Sequence, residues 1–275
     1  MSSFYALRQI RKKLGIKRIG HCGTLDPLAT GMLPVMVGEG TKYASMLNSQ
    51  DKSYTVTAMF GAVSNTFDAD GEISPNPSFK GINLDEVKHQ LAQFIGPIEQ
   101  KPPSFSAIRI DGKRAYELAR KGQVVDLAKR PVTVHAFSII ETPEPNANQF
   151  RVVCSKGTYI RSLIHDLGQV LGTGALVTQL HREWVAPFDH GNMTELDSLS
   201  HEDLLPLASL FEQSTLLNPI ELNAIHHGQS INCNETFTAA PIALVDENGK
   251  FHGAGIMRDN RIHPKKLISQ SVHQD

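Results

Sequence analysis

The sequence predicts an α+β chain with a mixed, mainly antiparallel sheet flanked by helices, followed by a small β-rich C-terminal module. Three observations predict it. Strand-like and helix-like segments alternate irregularly instead of in regular strand–helix–strand units. Short hairpin signals recur, among them Asp111-Gly112 and Asn248-Gly249. A proline-containing connector, LPLASLFEQSTLLNPIEL, separates the last segment from the rest. The expected division is a catalytic domain over residues 1–210, with an insertion at about 101–131, and a module over 220–275. At 275 residues, with 40% hydrophobic and 20% charged side chains, the chain can bury a real core.

Along the chain, FYALRQIRKKL (4–14) sets apolar residues at helical spacing against a basic face. SYTVTAMFGAV (53–63) alternates and is rich in Tyr, Thr and Val, so it reads as a strand. NTFDADGEI follows. Its Asp68-Ala-Asp70-Gly71 lacks the later carboxylates and closing Glu of a calcium loop, so it reads as an Asp-Gly turn. LDEVKHQLAQFIG (84–96) has a helical period and ends in Gly. Pro102-Pro103 breaks the chain before an Ile-Asp-Gly-Lys turn and a short helix, AYELARKG. Strands are expected at 132–140 and 150–157, with a PEPNAN turn between them and a helix starting near Tyr159. GTGALV (172–177) follows a helix and lacks a third glycine, so it is not a dinucleotide fingerprint.

Composition narrows the function classes. No apolar run approaches the about 18 residues of a membrane span. The N-terminus lacks a secretory h-region. Cys22, Cys154 and Cys233 lie far apart with no CxxC spacing, which suggests neither a disulfide framework nor a zinc site. A reducing cytoplasm is expected. Net charge is −1, but it is segregated. Residues 1–60 and 101–131 each carry 8 Lys/Arg against 3 Asp/Glu, while 190–250 hold 9 acids and one lysine. Such segregation can build a basic face that steers polyanions, or simply two solvated basic helices.

The stretch GHCGTLDPLATGMLPV (20–35) holds a single carboxylate, Asp26, among glycines, threonines and apolar residues. One reading makes Asp26-Pro27 the N-terminus of a short helix, with Asp as its cap. Against that reading, Gly20, Gly23, Gly31 and His21 are not needed for a cap.

The segment GHCGTLDPLATGMLPVMVGEGTK (20–42) resembles the active-site segment of the TruB-type tRNA pseudouridine synthases, which modify the T-loop uridine at position 55. KSY (52–54), SNTFDADGEI, KPPSFSAIRIDGKRAYELARKG, SKGTYIRSLIHDLG (155–168) and QLHREWVAPF resemble further family segments in the family's order, covering residues 1 to about 190. The resemblance implies a pseudouridine synthase fold and a cofactor-free isomerase with no metal. It implies that Asp26 is the nucleophile or base, attacking C1′ or C6 or removing the C2′ proton. The reaction consumes no water and transfers no electrons, so one carboxylate can suffice where a glycosidase normally needs two. By the same resemblance, Arg161 pairs with Asp26. Tyr54 lies against the flipped uracil, Tyr159 lines the pocket, Leu180 supplies an apolar wall, and His21 enters the T-loop. Lys113, Arg114, Arg120, Lys121 and Arg130 are the candidates for an RNA clamp. The implied partner is the tRNA T-arm, with no membrane, no obligate protein partner and a monomeric state.

The family pattern has an additional first strand, ending in an aspartate-lysine-proline turn, ahead of the stretch that MSS matches. This sequence starts inside that pattern. A non-catalytic tRNA-binding or tRNA-folding protein that kept the scaffold is therefore the alternative. A guide-RNA-dependent relative acting on ribosomal RNA would carry a fuller C-terminal domain and basic tails.

Overall fold

A computed structural model describes residues 1–238 and 241–269. It divides into two compact units. The first comprises Met1–Ser2, Leu25–Leu33 and Ser49–Gly191; the second comprises Ser3–Thr24, Pro34–Asn48 and the chain from Asn192. The connector at 206–219 lies inside the second unit.

The first unit is built on a six-stranded sheet. Its strands are β1 (Ala29–Gly31), β2 (Lys52–Phe60), β3 (Gly96–Gln100), β4 (Arg130–Glu144), β5 (Ala147–Cys154) and β6 (Ala175–Val185). The spatial order is β1-β6-β2-β5-β4-β3. β1 pairs parallel to β6, and every other pairing is antiparallel. The helices α1 (Leu84–Leu91) and α2 (Ile160–Val170) belong to this unit, as does a short helix at Ala115–Ala119.

Strand periodicity explains the layering. On β2 the even-numbered Tyr54, Val56, Ala58 and Phe60 join the core, while Ser53, Thr55 and Thr57 point to the opposite face. On α2, Ile160, Leu163, Ile164 and Leu167 recur at helical spacing and are buried in that core. Each fully buried aliphatic side chain of this kind stabilises the fold by about 1.5–3 kcal/mol. Phe60, Phe94, Phe137 and Phe150 interlock edge-on or tilted, with centroids 5.3–6.4 Å apart. At the end of α2, a Cβ on Gly168 would stand 2.2 Å from the Ala175 nitrogen, so only glycine lets the helix meet β6 this closely.

Several elements run past their expected ends. The strand expected at 132–140 extends over Arg130–Glu144, with Pro131 inside it paired to Glu99. Pairing with β3 over Arg130–Val134 and with β5 from Val134 to Glu144 carries β4 through residues of poor strand propensity. GTGALV forms the turn after α2 and the start of β6, a strand absent from the expected elements. The Asp111-Gly112 hairpin and the short helix Ala115–Ala119 lie where the sequence puts them.

In the second unit, β7 (Ser214–Leu217), β8 (Ile231–Asn232), β9 (Ile242–Asp246), β10 (Phe251–Arg258) and β11 (Arg261–Leu267) form a sheet in the order β7-β9-β10-β11-β8. A helix at Pro219–His226, capped by Asn218, was not anticipated; Pro at its first position and Glu221 completing a capping box are its signals. This unit also holds the N-terminal helix Ser3–Leu14 and the Ile19–His21/Val35–Val37 ladder. No helix among the described residues is long and apolar enough to cross a membrane.

Candidate active site

Asp26 does not cap a helix. Its carbonyl accepts from Ala29 N–H at 2.9 Å, closing a turn that leads straight into β1. β1 runs beside β6 with Gly31 opposite Arg182. Gly31 has φ +91°, and a Cβ there would lie 2.3 Å from the Arg182 carbonyl oxygen. The glycine is thus a condition for placing the Asp26 turn against the sheet.

Arg161 sits in the first turn of α2, yet its side chain is only 5% exposed. Its Nε donates to Asp26 Oδ2 at 2.8 Å and its Nη2 to Asp26 Oδ1 at 2.9 Å, a bidentate charge-assisted pair. Nη2 also donates to the Phe105 carbonyl at 3.0 Å, and Nη1 to the Thr66 carbonyl at 2.8 Å. Asp68 Oδ2 lies 3.3 Å from Nη1. Four hydrogen bonds therefore leave the guanidinium, and Asp68 adds a charge contact at Nη1. The residue before α2 is also fastened. The buried Gln100 side chain accepts from Tyr159 N–H at 2.8 Å and donates to its carbonyl at 3.0 Å.

Two carboxylates thus share one guanidinium. Burial pushes the Asp26 carboxyl above its ordinary range; Arg161 pulls it back, and the Asp68 and Asp70 charges push it further up. The Asp26 side chain keeps 32% of its surface open, enough for a substrate atom to reach it.

Tyr54 is buried on β2 and stands in register with Arg182 on β6. Burial pushes its phenol up to about 12 against the pull of the neighbouring Arg182 cation. β6 bulges at Glu183, whose carboxylate accepts from Ser53 at 2.7 Å and Thr55 at 2.6 Å, fixing the backbone on both sides of Tyr54. Tyr159 is half-buried next to Ser106, and burial raises its phenol. The Asp26 charge acts on both phenols. Leu180 is buried in the core cluster, opposite Ala29 and Val56.

Asp26, Arg161, Tyr54, Tyr159 and Leu180 therefore share the first unit, whereas His21 belongs to the second, half-buried opposite Val35. Lys113, Arg114, Arg120, Lys121 and Arg130 are all exposed. Arg114 and Arg120 flank the Tyr116 ring at 5.8 and 5.5 Å.

Sequence reasoning missed Asp68, read as an ordinary turn residue, and the buried Arg182, whose Nε donates to the Met32 carbonyl at 2.7 Å. Asp68 does organise its turn, accepting from Thr66 Oγ1 at 2.6 Å and Asp70 N–H at 3.1 Å. No local signal separates that role from its second one on Arg161.

Residues 11–160 match the model of the TruB family pseudouridylate synthase N-terminal domain. The chain belongs to the TruB family. Residues 161–222 match the tRNA pseudouridylate synthase B C-terminal domain, and 215–268 a second TruB C-terminal model. The chain is 38% identical over 285 residues to tRNA pseudouridine synthase B of Nitrosococcus oceani, covering 98% of this chain and 92% of that protein. It is 37% identical over 282 residues to the protein of the same name from Pseudomonas aeruginosa strain UCBPP-PA14, with 98% and 92% covered. Among solved structures it resembles an H/ACA RNP bound to a substrate RNA containing 2′-deoxyuridine, with TM-score 0.70, 20% identity, and 98% and 82% covered. A Cbf5-Nop10-Gar1 complex gives TM-score 0.69 at 21% identity, with 97% and 81% covered. These structural likenesses concern the TruB-type fold alone.

Proposed function

We propose that this TruB-family chain isomerises the T-loop uridine of tRNA, position 55, to pseudouridine, with Asp26 as the one reacting carboxylate. The observation that carries the reading is the bidentate Arg161–Asp26 pair beside two tyrosines. Isomerisation breaks the N1–C1′ bond, turns the uracil over and forms the C5–C1′ bond; the proton leaving C5 balances the one gained at N1. No water enters, so an enclosed site is an advantage. Arg161 orients Asp26 and offsets its charge, while Tyr54 offers a ring face to the everted base and Tyr159 and Leu180 wall the pocket. His21 fills the space the extruded nucleotide leaves in the T-loop.

Eversion costs a few kcal/mol, offset by phosphate contacts. The exposed Lys113, Arg114, Arg120, Lys121 and Arg130 supply such contacts in this reading, from an insertion whose first residues reach Arg161 through the Phe105 carbonyl. Residues 1–210 act as the catalytic domain and 220–275 as an RNA-binding module. The protein works alone, as a monomer in the cytoplasm. A purely RNA-binding role would leave the buried ion pair without a purpose.

The test is mass mapping of pseudouridine in a T-arm stem-loop RNA incubated with the chain and with Asp26→Asn. The chain is expected to convert one uridine, and the variant to bind the RNA without converting it. Turnover by the variant near that of the parent would remove Asp26 from the reaction.

A further inference from the structure

We infer that Phe67 and His165 are positioning residues for the Asp26–Arg161 pair, which rests on the reading that this pair is the catalytic centre. Phe67 has φ +64°, a left-handed conformation that a bulky side chain holds only when its surroundings over-determine it. Three contacts do so here. Its N–H donates to the Ser64 carbonyl at 3.2 Å, and its carbonyl accepts from Val177 N–H at 3.0 Å. Its ring stacks on the His165 imidazole, with centroids 3.8 Å apart and planes 12° from parallel.

The peptide just before Phe67 carries the Thr66 carbonyl that accepts from Arg161 Nη1 at 2.8 Å. Asp68, just after, brings the second carboxylate to the same nitrogen. Rotation about the Phe67 N–Cα bond would swing one of these acceptors relative to the other. His165 lies four residues beyond Arg161 on α2, one turn along the same face. The ring stack therefore fastens the acceptor turn to the very helix from which Arg161 reaches. Burial lowers the His165 pKa, and its buried Nδ1 has no hydrogen-bond partner among the described residues. The imidazole thus stacks as a neutral ring.

The test compares Phe67→Gly, Phe67→Tyr, His165→Ala and His165→Phe with the parent chain. Single-turnover pseudouridine formation and affinity are read on a T-arm stem-loop, and exchange of the Arg161 Nε–H is read by ¹⁵N NMR. Phe67→Gly relieves the backbone while deleting the stack, and His165→Phe keeps the stack while deleting the imidazole. Phe67→Gly and His165→Ala are expected to slow the chemical step about tenfold or more, with RNA affinity within about twofold. They are also expected to speed Nε–H exchange. Phe67→Tyr and His165→Phe should retain the parent rate and exchange. Parent-like rates and exchange in Phe67→Gly and His165→Ala overturn the inference, as does a His165→Phe variant as slow as His165→Ala. Should the parent form no pseudouridine at all, the catalytic reading fails, while the Nε–H exchange still decides whether the stack positions Arg161.

Discussion

Arg161 grips Asp26 with two parallel hydrogen bonds, 2.8 Å from Nε and 2.9 Å from Nη2, across 135 residues of chain. The geometry is that of a fork and not of a point charge. Arg161→Lys keeps the cation but can supply neither both bonds to Asp26 nor the bonds to Thr66 and Phe105. We expect RNA affinity to survive and single-turnover conversion to fall about a hundredfold. A lysine variant with parent-like turnover would show that charge alone suffices.

The acidity of Asp26 is set first by burial and then by its charged neighbours Arg161 and Asp68. On the proposed reading Asp26 reacts as a carboxylate, and burial holds its pKa above the ordinary 3.8. The conversion rate should therefore rise with pH through that raised value, giving an acid limb above the ordinary carboxylate range. Asp68→Asn removes a charge that raises Asp26, so it should move the limb to lower pH. A limb that moves to higher pH in the variant contradicts this assignment.

Gly31 leaves no room for a side chain between β1 and the Arg182 carbonyl. Gly31→Ala combines a left-handed φ with a clash against backbone, and should destabilise the chain by about 2 kcal/mol or more. Urea unfolding measures it, and an unchanged midpoint would show that the strand edge yields at no cost.

Charge reversal at Lys113 and Arg114 addresses the insertion. Both are exposed on the Arg109–Arg114 hairpin. If each contacts a phosphate, the double reversal should weaken RNA binding and lower the salt slope of log K by about 2. An unchanged slope places the RNA backbone elsewhere.

In the second unit, Glu39 pairs with Lys42 and Arg18 and accepts from Ser269, and the Lys42 contact leads in holding its pKa down to about 2 from 4.5. A carboxylate depressed in this way adds stability above its unfolded value and loses it as pH falls through the folded one. Glu39→Gln should therefore cost about 1 kcal/mol or less near neutrality, since solvent screens the cluster. The difference from the parent should vanish on titrating from pH 4.5 toward 2. A cost that persists unchanged at pH 2 points to packing instead.

Much of this was legible in the residues. Period-2 alternation marked β2, and helical spacing marked α1, because each element buries one face. The lone Asp26 stood out because its loop offers no second acid. What stayed hidden depends on contacts distant in sequence. Arg161 looks like a solvated helix residue until Asp26, Thr66 and Phe105 are seen to converge on it. Asp68 satisfies its own turn so well that a second duty leaves no trace in the local pattern. The extension of β4 through Glu144 comes from ladder partners, which outweigh weak propensity.

Arg161 spends four hydrogen bonds on Asp26, Thr66 and Phe105, and Asp68 stands against its Nη1, so little of the guanidinium is left for an arriving nucleotide. Any uracil or phosphate oxygen that sought a bond from it would compete with a carbonyl or a carboxylate already beside it. The arginine is thus internal framing, and the chemical discrimination of one base from another must be written in other groups.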